Sequence, residues 1–346
     1  MVLWLLYSAR FLQAFPEVRV GDSFYITGVA GFIGSHVAER LLRRGDRVHG
    51  LDNFDPFYDR SMKEGNLASL SVFPEFRFTE GDIRDRAVLA EWGNPGPVDV
   101  VIHLAAKAGV RPSLRDPVGY ADVNVLGTAR LLEWARHRGV PRILFASSSS
   151  VYGGNRKVPF AEEDPVDHPV SPYAATKKAG ELLCHTFCHL YGMNIVSLRF
   201  FTVYGPRQRP EMAIHAFTRS LFEGRELPMF GDGGSRRDYT YIDDVVDGVL
   251  GALSAPPGYR VYNLGESSTI SLDDLVALLE RSTGIRATRK YLPPEPGDVP
   301  VTFADISRAR AEIGYAPKVP VEEGVRRFVE WYRNDAGQFQ AGGGGR

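Results

Sequence analysis

The stretch Tyr25–Leu42, YITGVAGFIGSHVAERLL, decides the fold. A strand-like apolar run, a set of spaced glycines and an amphipathic helical run follow one another without a break. Gly28, Gly31 and Gly34 stand at Gly-x-x-Gly-x-x-Gly spacing. Glycine permits a tight turn and lets backbone N–H groups approach a pyrophosphate, while the positive end of the helix dipole faces it. Asp52 ends the next strand-like run, RVHGLDNF, eighteen residues after Gly34. A carboxylate there accepts both ribose hydroxyls of NAD and repels the extra phosphate of NADP. The stretch therefore reads as a dinucleotide site, with Phe32 and Ile33 inside the loop and Asn53 beside the acid. GDIRD, with Asp82 and Ile83, and HLAAKAG, with Leu104, Ala105, Ala106 and Lys107, line the adenine and the pyrophosphate in this reading.

Outward from that stretch, FYIT, RVHGL, FRFTE, VDVVIHLA, RILFASS and NIVSLRFF alternate with amphipathic segments such as GTARLLEWARHRG and AGELLCHTFCHLYG. Continuous apolar strands alternating with helices predict an α/β fold, a doubly wound parallel sheet covered on both faces. After about residue 200 the connections become rich in Pro and Gly, as in GPRQRPE, FGDGGSRRD and LPPEPGDVP, which marks a smaller substrate lobe. The expected division is a dinucleotide domain over 23–199, with 239–263 returning to it, and a lobe over 200–238 and 264–335. Residues 1–22 read as an N-terminal extension and 336–346, ending AGGGGR, as a disordered tail.

The chain has 346 residues, 44% of them hydrophobic, with a formal net charge of -1, a balance that does not call for nucleic acid. The apolar start MVLWLLYSAR is apolar for about seven residues, short of the ~20 a membrane span needs. Two cysteines, four apart in a helical run, make no disulfide framework, so the expected compartment is a reducing cytoplasm. CHTFCH, with Cys184, His185, Cys188 and His189, cannot close one tetrahedron from a single helix, and no metal is expected there.

SPYAATKKAGELL sets Tyr173 and Lys177 four residues apart, on one helix face. A free tyrosine titrates near pH ~10, so it works as a base only beside positive charge, which a lysine ammonium and an oxidised nicotinamide supply. Ser148 in FASSSSVYGG follows the fifth strand and can orient or relay the same proton.

TGVAGFIG, HLAA, SSSSVYG, SPYAATK and RDYTYIDD together resemble the extended short-chain dehydrogenase/reductase family from residue 23 to about 333. Within it, LDNFDPFYDRSMKEGNL, HLAAKAGVRPS and RFFTVYGPRQRPEMA are most similar to UDP-glucuronate 4-epimerases. The resemblance implies a Rossmann-type sheet, a tightly held NAD, a UDP-sugar substrate and a homodimer packed through the helices after the fourth and fifth strands. It also implies cofactor contacts from Asn124, Ser147, Tyr173, Lys177 and Phe200, and a part for Ser149 beside Ser148 in catalysis.

Family members oxidise the sugar 4-hydroxyl to a ketone and then diverge. The 4,6-dehydratases carry Asp-Glu where this chain has Ser149 and Ser150, which argues against elimination. A uronate presents a carboxylate beside the reacting carbon, and a guanidinium fork is its fitting partner. The resemblance assigns that part to Arg209, with Thr202 behind it and Met212 following, while Arg207 serves the same loop. A neutral-hexose 4-epimerase, usually with Asn where Thr202 stands, is the alternative, followed by a decarboxylase and a non-catalytic NAD-binding member. For the nucleotide, the resemblance implies Arg237 on the diphosphate, Phe230 beside the uracil, Asp298 on the ribose and Arg111 as a third anion contact.

Overall fold

A computed structural model describes residues 17–94 and 96–336. Residues 1–16 of the expected extension and 337–346 of the expected tail lie outside the described residues. Seven parallel strands form the central sheet: β1 (Ser23–Thr27), β2 (Arg47–Asp52), β3 (Phe76–Glu80), β4 (Val100–His103), β5 (Arg142–Ser148), β6 (Asn194–Phe200) and β7 (Tyr259–Leu264). Their spatial order is β7-β6-β5-β4-β1-β2-β3. Every residue of β1, β4, β5 and β6 is buried, as expected of strands with helices on both faces. The order reverses between β1 and β4, and such a switch point opens a crevice at the strands' carboxyl ends.

Two helices aim chemistry into that crevice. The helix Phe32–Arg44 starts at Gly31 with no side-chain cap, so its first amides remain available to an anion. It stops at Gly45, φ +96°, with Arg43 and Arg44 against the negative end of its dipole. The helix Pro172–Tyr191 is fixed at its start by the Ser171 side chain, which accepts from Ala174 N, and by Pro172 in the first turn. It ends at Gly192, φ +67°.

Beyond β6, short strands pair locally: Thr202–Tyr204 with Tyr239–Tyr241, Leu227–Phe230 with Arg289–Leu292, and Arg236–Arg237 with Ile270–Ser271. They share a core with the sheet. One apolar cluster runs from Phe24 and Val37 through Phe201 and Tyr241 to Leu279 and Phe328, while Tyr25, Trp92, Phe145, Cys184 and Ile195 pack the other face. Cys184 and Cys188 are free and buried. Among the described residues no helix is long and apolar enough to cross a membrane, and no cluster of His, Cys, Asp and Glu could hold a metal ion.

Candidate active site

A cleft of about 340 Å³ opens at the switch point. Its floor is the glycine loop. Gly28 has φ +73°, and a Cβ there would lie 2.7 Å from the amide nitrogen of Ala105. A Cβ on Gly34 would lie 2.1 Å from the Gly28 carbonyl oxygen. These two glycines thus let β1, the β4 end and the helix approach one another, while Gly31 borders the cleft at the uncapped helix start.

Asp52, almost fully buried, accepts from Ala30 N at 3.1 Å and Phe54 N at 2.9 Å, with Lys63 Nζ 4.0 Å away. Burial raises its carboxyl, opposed by Lys63 and by those two amides. Asn53 Nδ2 donates to Asp82 Oδ2 at 2.8 Å, and Arg84 pairs with Asp82 at 2.7 Å, holding that carboxyl down to about 2. Free amides at one end and a carboxylate wall at the other fit the pyrophosphate and the ribose of NAD.

Phe32, Ile33, Ile83, Leu104, Ala105, Ala106, Lys107, Ser147 and Phe200 line the same cleft. Ser147 Oγ is already engaged, donating to Glu181 Oε1 at 2.6 Å. Asn124 stands behind the wall rather than on it. It sits in the π-helical turn Asp122–Gly127, accepts from Lys107 N at 2.8 Å and donates to Lys107 O at 2.9 Å, so it shapes the main chain that carries Lys107.

Ser148, Tyr173 and Lys177 meet on the adjoining wall. Burial raises the Tyr173 phenol, and its hydrogen bond to Ser148 and the nearby charge of Arg209 both oppose that rise. Lys177 Nζ donates to Ala146 O at 2.7 Å and lies 6.0 Å from the centre of the Tyr173 ring. Burial pulls this ammonium down to about 8. Ser149 begins the tight turn Ser149–Tyr152 whose next amide, Ser150 N, donates to Ser148 Oγ at 3.2 Å. Tyr120, which the sequence does not single out, packs edge-on against Tyr173, with ring centres 6.2 Å apart.

Arg209 and Met212 complete the cleft, with Phe57 and Tyr58 from the loop after β2 and Lys63 from the helix Arg60–Leu70 that follows. Arg209 Nε meets Glu211 at 3.2 Å, and its guanidinium lies 5.7 Å from the centre of the Phe57 ring. Thr202 opens the strand beside it and donates its amide to Asp238 O at 3.0 Å. Arg207 points elsewhere, its Nη2 2.8 Å from Glu39 Oε2.

Apart from the residues that line this cleft, the structure brings together three others distant in sequence. The Arg111 guanidinium lies over the Phe230 ring at 4.1 Å and pairs with Asp298 at 2.9 Å. Glu295 stands 3.9 Å from Arg111 Nε. Arg237 lies apart from this group, in the short strand Arg236–Arg237, and donates to Arg236 O at 2.9 Å.

This arrangement of glycine loop, Ser-Tyr-Lys group and outer arginines has known counterparts. The sequence pattern of the NAD dependent epimerase/dehydratase family matches residues 24–265. The chain belongs to that family. It is 46% identical to UDP-glucuronate 4-epimerase 2 of Arabidopsis thaliana over 345 residues, covering 94% of this chain and 79% of the relative. It is 44% identical to the UDP-glucuronate 4-epimerase of Thermodesulfobacterium geofontis over 313 residues, covering 90% and 96%. The crystal structure of UDP-glucuronic acid 4-epimerase from Bacillus cereus, in complex with UDP-glucuronic acid and NAD, superposes with a TM-score of 0.84 at 37% identity, covering 90% of this chain and 99% of that one. This epimerase/dehydratase chain thus has a seven-stranded Rossmann-type sheet like its relatives.

Proposed function

We propose that the protein is an NAD-dependent UDP-glucuronate 4-epimerase, interconverting UDP-glucuronate and UDP-galacturonate through a transient 4-keto sugar. One observation carries the choice of substrate: the Arg209 guanidinium lines the same cleft as Tyr173 and acts on the phenol's charge. A cation at that place suits a carboxylate on the carbon next to the reacting one.

When bound, NAD supplies the hydride acceptor and, in its oxidised form, a positive ring beside the phenol. The residues do the rest. Tyr173 takes the proton of the sugar 4-hydroxyl and returns it after the sugar has turned over. Burial raises this phenol, and the hydrogen bond from Ser148 and the charge of Arg209 oppose that rise. Ser148 holds the phenol oxygen and the substrate hydroxyl in line. The 4-keto uronate is a β-keto acid, and Arg209 with Thr202 holds its carboxylate near the mean plane of the ring, away from the alignment that releases carbon dioxide. Phe230, Arg111, Asp298 and Arg237 hold the uridine diphosphate.

The test is incubation of the purified protein, without added NAD, with UDP-glucuronate and separately with UDP-glucose. UDP-galacturonate at unchanged mass is the expected product. Release of carbon dioxide identifies a decarboxylase, and turnover of UDP-glucose alone identifies a neutral-hexose epimerase. The protein acts as a cytoplasmic homodimer in this reading. The exposed Val118, Leu126, Leu182, Leu190 and Tyr191 on the segments after β4 and β5 support the pairing surface.

A further inference from the structure

We propose that Arg207 is a positioning residue for Arg209, acting through Glu39 on the helix that follows the glycine loop; the inference rests on the reading of Arg209 as the carboxylate partner. Arg207 has φ +65°, a left-handed conformation rare for a residue with a side chain. Such strain persists only where the surroundings over-determine it. Arg207 Nη2 bonds Glu39 Oε2 at 2.8 Å, with both side chains largely buried at 21% and 16% exposure, while the other Glu39 oxygen pairs with Arg43.

The neighbours on either side are pinned as well. His36, one turn before Glu39, donates from Nε2 to Pro206 O at 2.9 Å, and His215 donates from Nδ1 to Gln208 O at 2.7 Å. Gln208 Nε2 donates back to Val203 O at 3.2 Å. Burial brings both imidazoles down to about 4, so both stay neutral over the working range and keep these donors. Three consecutive residues are therefore held, and Arg209 follows directly.

Arg209 itself has weaker direction. Among the described residues its ion pair is with Glu211, a neighbour in its own loop that is 39% exposed. The aim of the guanidinium is thus set by the backbone beneath it. That backbone is tied to the helix whose uncapped start faces the pyrophosphate. The helix that carries the cofactor seat is thus in direct contact with the loop that presents Arg209.

The experiment compares Arg207→Gly, Glu39→Gln and the swap of Arg207→Glu with Glu39→Arg, each with retained NAD. Glycine suits the backbone at this position, so that variant removes the guanidinium without adding strain. Calorimetry measures binding of UDP-glucuronate, UDP-glucose and UDP. Wild-type protein is expected to prefer UDP-glucuronate to UDP-glucose. Arg207→Gly and Glu39→Gln are expected to cut that preference by roughly tenfold with UDP affinity unchanged, as a displaced binding group does. The swap is expected to restore most of it.

A preference that survives in both single variants overturns the role, as does a loss that tracks UDP affinity or a swap no better than its single members. Turnover is read separately. A wild-type protein that prefers UDP-glucuronate without epimerising it sinks the proposed activity but leaves the positioning role standing. One with no preference removes the assigned part of Arg209, and the inference falls with it.

Discussion

At the pyrophosphate seat, binding groups come from contiguous backbone, whereas for the sugar nucleotide they are side chains gathered from distant segments. Gly28, Gly31 and Gly34 lie within seven residues of sequence, and their spacing is dictated by how closely chain meets chain. Arg111, Phe230 and Asp298 come from a short helix, a strand end and a loop, and meet only in space. A backbone site tolerates almost no substitution at its turns, while a side-chain site can be rebuilt one residue at a time. The first sort fixes the cofactor, and the second is where related chemistries diverge.

The comparison breaks most decisively at the point where both ends meet. Tyr173→Phe should lower turnover by about 10³-fold, the middle of the range for a general base, while NAD stays bound. Product assays and the absorbance of the isolated protein read the two effects, and wild-type rates would show that Tyr173 is not the base. Gly34→Ala tests the backbone end. With its Cβ 2.1 Å from the Gly28 carbonyl, the loop must shift, and the purified variant should emerge without NAD and melt at lower temperature.

Side-chain changes should act more selectively. Arg209→Ala should lower kcat/KM for UDP-glucuronate by roughly 10- to 100-fold, the range for a hydrogen bond to a charged group, while inhibition by UDP holds. Phe230→Ala should raise KM for UDP-glucuronate about tenfold through lost base stacking, with kcat retained at saturation. Steady-state kinetics separates the two, and identical profiles would erase the proposed split between carboxylate and nucleotide contacts.

The smallest effect is on stability. Glu266 lies near Asp244 and Asp238, its Oε2 buried without a hydrogen-bond partner, and burial followed by those two charges raises its carboxyl to about 8. A carboxyl raised on folding binds more protons in the native chain, so its contribution is favourable at low pH and is lost as pH rises toward 8. Glu266→Gln should leave the Tm unchanged at pH 5 and raise it at pH 8.5 by on the order of 2 °C. Equal shifts at both values would refute the proton linkage.

Strands β1, β4 and β5 are legible in the sequence because their runs are mostly apolar, and β2, β3 and β6 because Val, Ile, Leu and Phe recur between their polar residues. The seventh, Tyr259–Leu264, hides because it carries Arg260 and Asn263. Asn263 is fully buried yet satisfied, donating to Phe160 O and Asp305 O and accepting from Tyr152 Oη, partners that no local pattern reveals. The two loop arginines teach the same lesson. Arg207 and Arg209 are equivalent in a string of letters, and only the left-handed turn at 207 sends one to Glu39 and leaves the other in the cleft. Tyr120 has no lysine four residues on, and its packing against Tyr173 appears only in the fold.

The place of β7 also constrains synthesis. Six of its residues pair with Ile195–Phe200, so β6 has no outer neighbour until the ribosome has made another sixty or so residues. Over that interval a nascent chain displays an unpaired strand edge, a template for another chain. The late strand is therefore the seal of the sheet, and a transcript cut short before residue 259 would yield aggregate rather than a smaller dinucleotide-binding protein.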